Sequence, residues 1–117
     1  MNQTIKIAVD AMGGENSPTK VIKGIEIHNL ATKNIFYNIF GNTKLIEPII
    51  NQTKISKNNY KLIHTDNIIE DTDSALSAAK RGKDTSMWLA IDSVKKKEND
   101  IIISAGNTGA LLVIAKL

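Results

Sequence analysis

The sequence predicts an α/β fold in which helices cover both faces of a mostly parallel sheet. Short β-branched apolar runs alternate with longer stretches of helical periodicity. Small-residue, glycine-rich turns close the first and the fourth of those runs. Strands that alternate with helices imply right-handed crossovers, and such crossovers put helices on both faces. At 117 residues, 42% hydrophobic and 23% charged, the chain is one domain or a piece of one, long enough to bury a core.

The first strand is "TIKIAVD" (4–10), and it ends in "AMGGENSP". Ser17 followed by Pro18 reads as an N-cap with proline at the first helical position. Val21, Ile22, Ile25 and Leu30 then recur at helical spacing, which predicts a helix over 18–32. "NIFYNIF" (34–40) is the second strand, closed by Gly41. Asn42 is placed to cap a short helix over 43–51, which Pro48 should bend. "YKLIH" (60–64) is the third strand. A polar loop leads to a helix over 74–81 ending at Gly82, and Thr85–Lys97 reads as another, with Met87, Leu89, Ala90 and Val94 on its apolar side. "DIIIS" (100–104) is the fourth strand, and residues 108–117 open a last helix. That helix stops at "ALLVIAKL" without a C-cap or polar tail, and the strands are few for a doubly wound sheet. The expectation is an N-terminal part of a longer enzyme.

Composition narrows the chemistry. There are no cysteines, which rules out disulfides and thiolate metal sites and fits a reducing compartment. With two histidines, His28 and His64, a metal would have to rest on carboxylates. The net charge of +3 sets fourteen lysines and a single arginine, Arg81, against twelve acidic residues, and aromatics make up 4%. A nucleic-acid surface would favour clustered arginine and interleaved aromatics, so no nucleic-acid partner is expected. "MNQTIKIAVD" lacks the long apolar core of a signal peptide, and no stretch approaches the roughly 20 apolar residues of a spanning helix. These features predict a soluble, cytoplasmic protein.

Ligands of open α/β sheets bind beyond the carboxyl ends of the strands, where both glycine clusters fall. Gly13 and Gly14 follow the first strand, and Ser104, Gly106, Asn107, Thr108 and Gly109 follow the fourth. A small-residue loop opening a helix presents free N–H groups and the positive end of the helix dipole, which suits phosphate. A plain strand-to-helix turn with Thr108 as N-cap is the other reading. Asp10 ends an apolar strand, where an ionised carboxylate needs a hydrogen-bonding partner; it would orient a ligand or a neighbouring side chain, or close an Asx-type turn. Lys80, Arg81 and Lys83 precede Thr85 and Ser86 at a helix start, so they form either a polyanion site or a solvated charged turn. Neither loop is G-x-G-x-x-G or a Walker A loop, so a dinucleotide has no fingerprint here. His64 and Asp66 without a nucleophile are poor evidence for a hydrolase. Trp88 reads as packing, and His28 as a helix-surface residue.

Taken together, "IKIAVDAMGGENSP" (5–18), "HTDNIIEDTD" (64–73), "KRGKDTSM" (80–87) and "ISAGNTGAL" (103–111) resemble, in order and spacing, the bacterial acyl-ACP:phosphate acyltransferases of phospholipid synthesis, the PlsX family. The resemblance covers essentially the whole chain, and family members are substantially longer. It implies a three-layer α/β/α fold like that of the phosphotransacetylases and the isocitrate and isopropylmalate dehydrogenase group. It also implies that residues 1–117 are the N-terminal portion of a single larger domain. The implied reaction transfers a long acyl chain from acyl-ACP to inorganic phosphate, giving acyl phosphate, with no metal or organic cofactor. The implied partners are acyl-ACP, phosphate, a second copy in a homodimer, and the membrane glycerol-phosphate acyltransferase that takes the product, with peripheral membrane association.

By position, Asp10, Gly13 and Gly14 match the family's first loop. Lys80, Arg81, Lys83 and Ser86 match its basic-hydroxyl segment, and Ser104, Gly106, Asn107, Thr108 and Gly109 its second glycine loop. Two departures stand out: Glu15-Asn16-Ser17, where the family commonly has aspartate, a variable residue and alanine, and Gly82, where a further basic residue is common. The expected catalytic set is Asn107, Lys83 and Asp10, with Asp10 as an orienter, and the remaining matched residues hold phosphate or substrate. A phosphotransacetylase-type enzyme using acyl-CoA, or a non-catalytic α/β interaction domain, is the alternative.

Overall fold

The computed structural model describes residues 3–68, 74, 84–106, 111, 114 and 115. Its elements follow the apolar runs in order: β1 (Ile5–Asp10), α1 (Thr19–Ala31), β2 (Ile35–Gly41), α2 (Thr43–Ile50), a 3-10 turn (Lys57–Asn59), β3 (Tyr60–His64), α3 (Ser86–Lys95) and β4 (Ile101–Ser104). The helix expected over 74–81 falls almost wholly outside the described residues. Of the last expected helix, Leu111, Ile114 and Ala115 are described, and they are helical.

The four strands form one sheet in the order β3-β2-β1-β4, and every neighbouring pair is parallel. The period-2 alternation of a strand sends its side chains to two faces. Ile7 and Val9 of β1 and Tyr37 and Ile39 of β2 pack with Ile22 and Ile25 of α1 and Ile46 and Ile50 of α2. The opposite face presents Ala8 and Phe40 to Ala90 of α3, while Met87 and Ile91 of α3 meet Ile114. The result is three layers, α/β/α. Burying each of these isoleucines stabilises the fold by about 1.5–3 kcal/mol before the entropy of ordering is counted.

Local chemistry sets the helix ends, and one end differs from expectation. Asn42 caps α2 as its sequence predicts, its side chain accepting from the Lys44 N–H at 3.0 Å. Thr85 caps α3 in the same way, accepting from the Trp88 N–H at 3.2 Å. Ser17 does not cap α1. The N-cap position belongs to Pro18, with no side-chain cap, and the Ser17 hydroxyl donates back to the Gly13 carbonyl. The glycine turn supplies an acceptor four residues upstream, and the hydroxyl takes it in preference to the helix. Pro48 lies inside α2, which continues to Ile50, rather than ending it. Beyond α3, Lys97 adopts φ 63° and turns the chain toward β4.

Register places the functional edge. Asp10 lies beside Phe40 on one side and Ser104 on the other, and Gly41 lies beside His64. All four carboxyl ends therefore share one edge of the sheet. The chain steps from β1 outward to β2 and β3, then crosses back to β4 on the far side of β1. Strand order reverses between β1 and β4, and the crevice outside such a switch point is where open α/β sheets take their ligands.

Candidate active site

The two glycine loops meet at that switch point. A β-carbon built on Gly13 would stand 2.7 Å from the Gly106 Cα, 2.8 Å from its nitrogen and 3.0 Å from Asp10 Oδ2. Gly14 has φ 90°, and a β-carbon there would lie 2.9 Å from the Ala105 carbonyl oxygen. Glycine is required at both positions, at Gly13 by backbone approach and at Gly14 by conformation as well.

Asp10 holds the junction from beneath. It is 2% exposed. Its Oδ1 accepts from the Ser86 hydroxyl at 2.7 Å and from the Met12 N–H at 3.2 Å, and its Oδ2 accepts from the Ser104 hydroxyl at 2.8 Å. The Ser104 oxygen in turn accepts from the Gly106 N–H at 3.2 Å. One carboxylate thus ties β1 and its loop to β4 and its loop, and both to the first residue of α3. Hydrogen bonds to an ionised group are the stronger kind, and a buried carboxylate needs them.

Asp84, Thr85 and Ser86 lie at the same edge. Thr65, just beyond β3, is buried and donates its hydroxyl to the Asp84 carbonyl. Asn67 Nδ2 donates to Asp84 Oδ2 at 2.5 Å, and the Ser86 N–H donates to the Asn67 carbonyl at 3.0 Å. Asp84 and Thr85, which directly follow Lys83 in sequence, are clamped against the chain leaving β3.

Of the residues singled out in the sequence, Asp10, Gly13, Gly14, Ser86, Ser104 and Gly106 come together here. Lys80, Arg81, Lys83, Asn107, Thr108 and Gly109 lie outside the described residues. Sequence reasoning missed the cleft beside this junction. A cavity of about 580 Å³ runs from Gly13 and Gly14 along the gap between α1 and β4, walled by Val9, Val21, Ile25 and Ile103. His28 and Tyr37 also line it, with His28 Nδ1 2.6 Å from the Tyr37 hydroxyl and the rings edge to face. His28 is on the helix surface as expected, but it is partnered. Burial pushes the Tyr37 phenol above its ordinary value.

His64 serves the fold. Its Nδ1 accepts from the Thr43 N–H at 3.1 Å, which leaves the proton on Nε2, 3.1 Å from Asp66. Both side chains are exposed, and the contacts of Thr43 with His64 Nδ1 join the start of α2 to the end of β3. Trp88, half-buried, packs against the Met87–Ile91–Ile114 cluster.

The family described as "Fatty acid synthesis protein" matches residues 5–117. The chain belongs to that family. Among its curated relatives, the phosphate acyltransferase of Pelagibacter ubique is 59% identical over 117 residues, all of this chain and 34% of the relative. Those of Azorhizobium caulinodans and Ehrlichia ruminantium are each 37% identical, over 118 and 116 residues, covering 100% and 97% of this chain. The chain spans about a third of these relatives' length (33–34%). The match falls on the N-terminal part of these acyltransferases, which places the switch-point junction in the N-terminal third of the family. Among the described residues no helix is long and apolar enough to cross a membrane.

Proposed function

We propose that the chain is the N-terminal portion of a larger α/β domain that transfers a long acyl chain from acyl-ACP to inorganic phosphate. The observation that carries this reading is the junction of Gly13 and Gly106 over Asp10, in a chain whose relatives are named phosphate acyltransferases. A phosphate oxygen attacks the thioester carbonyl, the carbon–sulfur bond breaks, and the thiolate leaves to recover a proton from solvent. The products are acyl phosphate and free ACP.

Phosphate sits on the backbone N–H groups around Asn107, Thr108 and Gly109, with Lys80, Arg81 and Lys83 supplying countercharge. Catalysis is then positioning plus stabilisation of the oxyanion, and the thiolate leaves readily without much acid–base help. Asp10 is a positioning residue, because both of its oxygens are engaged by Ser86 and Ser104. Those serines direct their protons at Asp10, so in this role they shape the phosphate seat. Around the reaction we place a homodimer in the cytoplasm, peripheral contact with the membrane, and delivery of acyl phosphate to the membrane glycerol-phosphate acyltransferase. The reaction as written balances without a metal or organic cofactor.

The test is direct. This chain within a full-length phosphate acyltransferase is incubated with phosphate and either acyl-ACP or acyl-CoA, and acyl phosphate is measured. Turnover of acyl-ACP supports the reading, and turnover of acyl-CoA alone replaces it with a phosphotransacetylase. Lys83→Ala and Asn107→Ala should each lower kcat/KM by about a hundredfold or more. Unchanged phosphate-dependent transfer in both would remove this seat.

A further inference from the structure

We propose that the cleft between α1 and β4 is the seat of the substrate's acyl chain, a deepening that rests on the acyl-transfer reading above. The cleft opens where Gly13, Gly14 and Ala105 meet, so its mouth adjoins the place where a thioester would meet phosphate. Glu15, Ser17 and Lys20 supply the polar groups at that mouth. Because α1 runs back across the sheet, Val21, Ile25 and His28 follow one another away from the mouth. Beyond the mouth the walls are apolar: Val21 and Ile25 from the helix, Val9 and Ile103 from the strands. At the far side, His28 Nδ1 pairs with the Tyr37 hydroxyl at 2.6 Å, which takes up the one polar atom that Tyr37 brings to the cleft. A polar mouth on a long apolar body matches an acyl thioester, and about 580 Å³ falls in the range of small-molecule sites.

Gly24 gives an independent observation. It lies in the interior of α1, where glycine costs about 1 kcal/mol relative to alanine. Its φ is not positive, and a β-carbon there would meet no atom within 4 Å. Neither conformation nor close packing asks for glycine. Its effect is to leave the cleft wider beside Val21 and Ile25. On β4, Ile103 remains 51% exposed on the cleft side, apolar surface that an aliphatic chain would cover.

The experiment uses this chain within a full-length phosphate acyltransferase, as wild type, Gly24→Phe and Lys23→Phe, the last on an exposed position of α1 outside the cleft. Two readouts are taken: the ratio of kcat/KM for palmitoyl-ACP to that for butyryl-ACP, and photolabelling by a diazirine-bearing palmitate with peptide mapping. The seat predicts that Gly24→Phe lowers the ratio by about tenfold or more while Lys23→Phe does not move it. It also predicts wild-type label on residues 21–28 or 101–105, lost in Gly24→Phe. An unchanged ratio overturns the proposal. So does an equal fall for both substrates with a lower thermal midpoint, the signature of a helix from the rest of the protein filling the cleft. If the wild type makes no acyl phosphate, the acyl-transfer reading fails, and labelling alone decides whether the cleft holds an aliphatic chain.

Discussion

Gly13 and Gly106 touch backbone to backbone across the β1–β4 switch point, with 2.7 Å left for any β-carbon added to Gly13. That atom would press on main chain, which has nowhere to rotate. Gly13→Ala therefore forces the two loops apart, at a cost of about 1–3 kcal/mol. Gly106→Ala meets the mobile end of Met87 at 2.9 Å and should cost less. Thermal or urea unfolding of the two variants checks the order, and a Gly106 variant as damaged as the Gly13 one would contradict this geometry.

Asp10 couples two serines that are far from it in sequence and from each other. Ser86→Ala and Ser104→Ala each remove one donor from a buried carboxylate, and each should destabilise by about 1–3 kcal/mol. The double variant should depart from additivity because both bonds end on one group. Asp10→Asn replaces an acceptor oxygen with a donor facing a hydroxyl, and it should cost at least as much as either serine. A double-mutant cycle measured by urea denaturation tests this, and strict additivity would argue against a shared tie.

Tyr37 makes stability fall at high pH. Its phenol is raised above 10.0 by burial, so near and above pH 10 the unfolded chain loses the proton while the folded chain keeps it. The unfolded state then binds fewer protons, and stability drops as pH rises, by at most about 1.4 kcal/mol per pH unit from this group. Urea midpoints between pH 8 and 11 should decline less steeply in Tyr37→Phe than in wild type. Parallel slopes would assign the decline to other groups.

The two helix starts should respond differently to alanine. Asn42→Ala removes the acceptor for the Lys44 N–H and should cost about 1 kcal/mol. Hydrogen exchange should show weaker protection in the first turn of α2. Ser17→Ala removes a bond to the Gly13 carbonyl and touches no α1 amide, so protection at the start of α1 should stay as it is.

These contrasts show how far the sequence could be read. The strands were legible because β1, β2 and β3 are apolar runs bounded by glycine or polar turns, and their observed limits lie within a residue of the expected ones. A local cap was legible where donor and acceptor are close in sequence, as at Asn42, whereas the Thr85 cap emerges only from the folded chain. Ser17 misled because it has the residue type and position of a cap, and only the folded turn reveals the competing Gly13 carbonyl. The Asp10 tie could be anticipated only as a need for partners. Ser86 and Ser104 lie 76 and 94 residues away, and nothing local marks them as those partners. The cleft was not legible at all, since the residues that line it come from β1, α1, β2 and β4.

β4 carries a consequence for handling the protein. Among the described residues it pairs on one side only, with β1, and Ile101 and Ile103 stand 48% and 51% exposed. An unpaired edge flanked by β-branched side chains is a template for another strand. A preparation of these 117 residues alone should therefore self-associate in a concentration-dependent way, visible by light scattering, and lysine at Ile103 should suppress it.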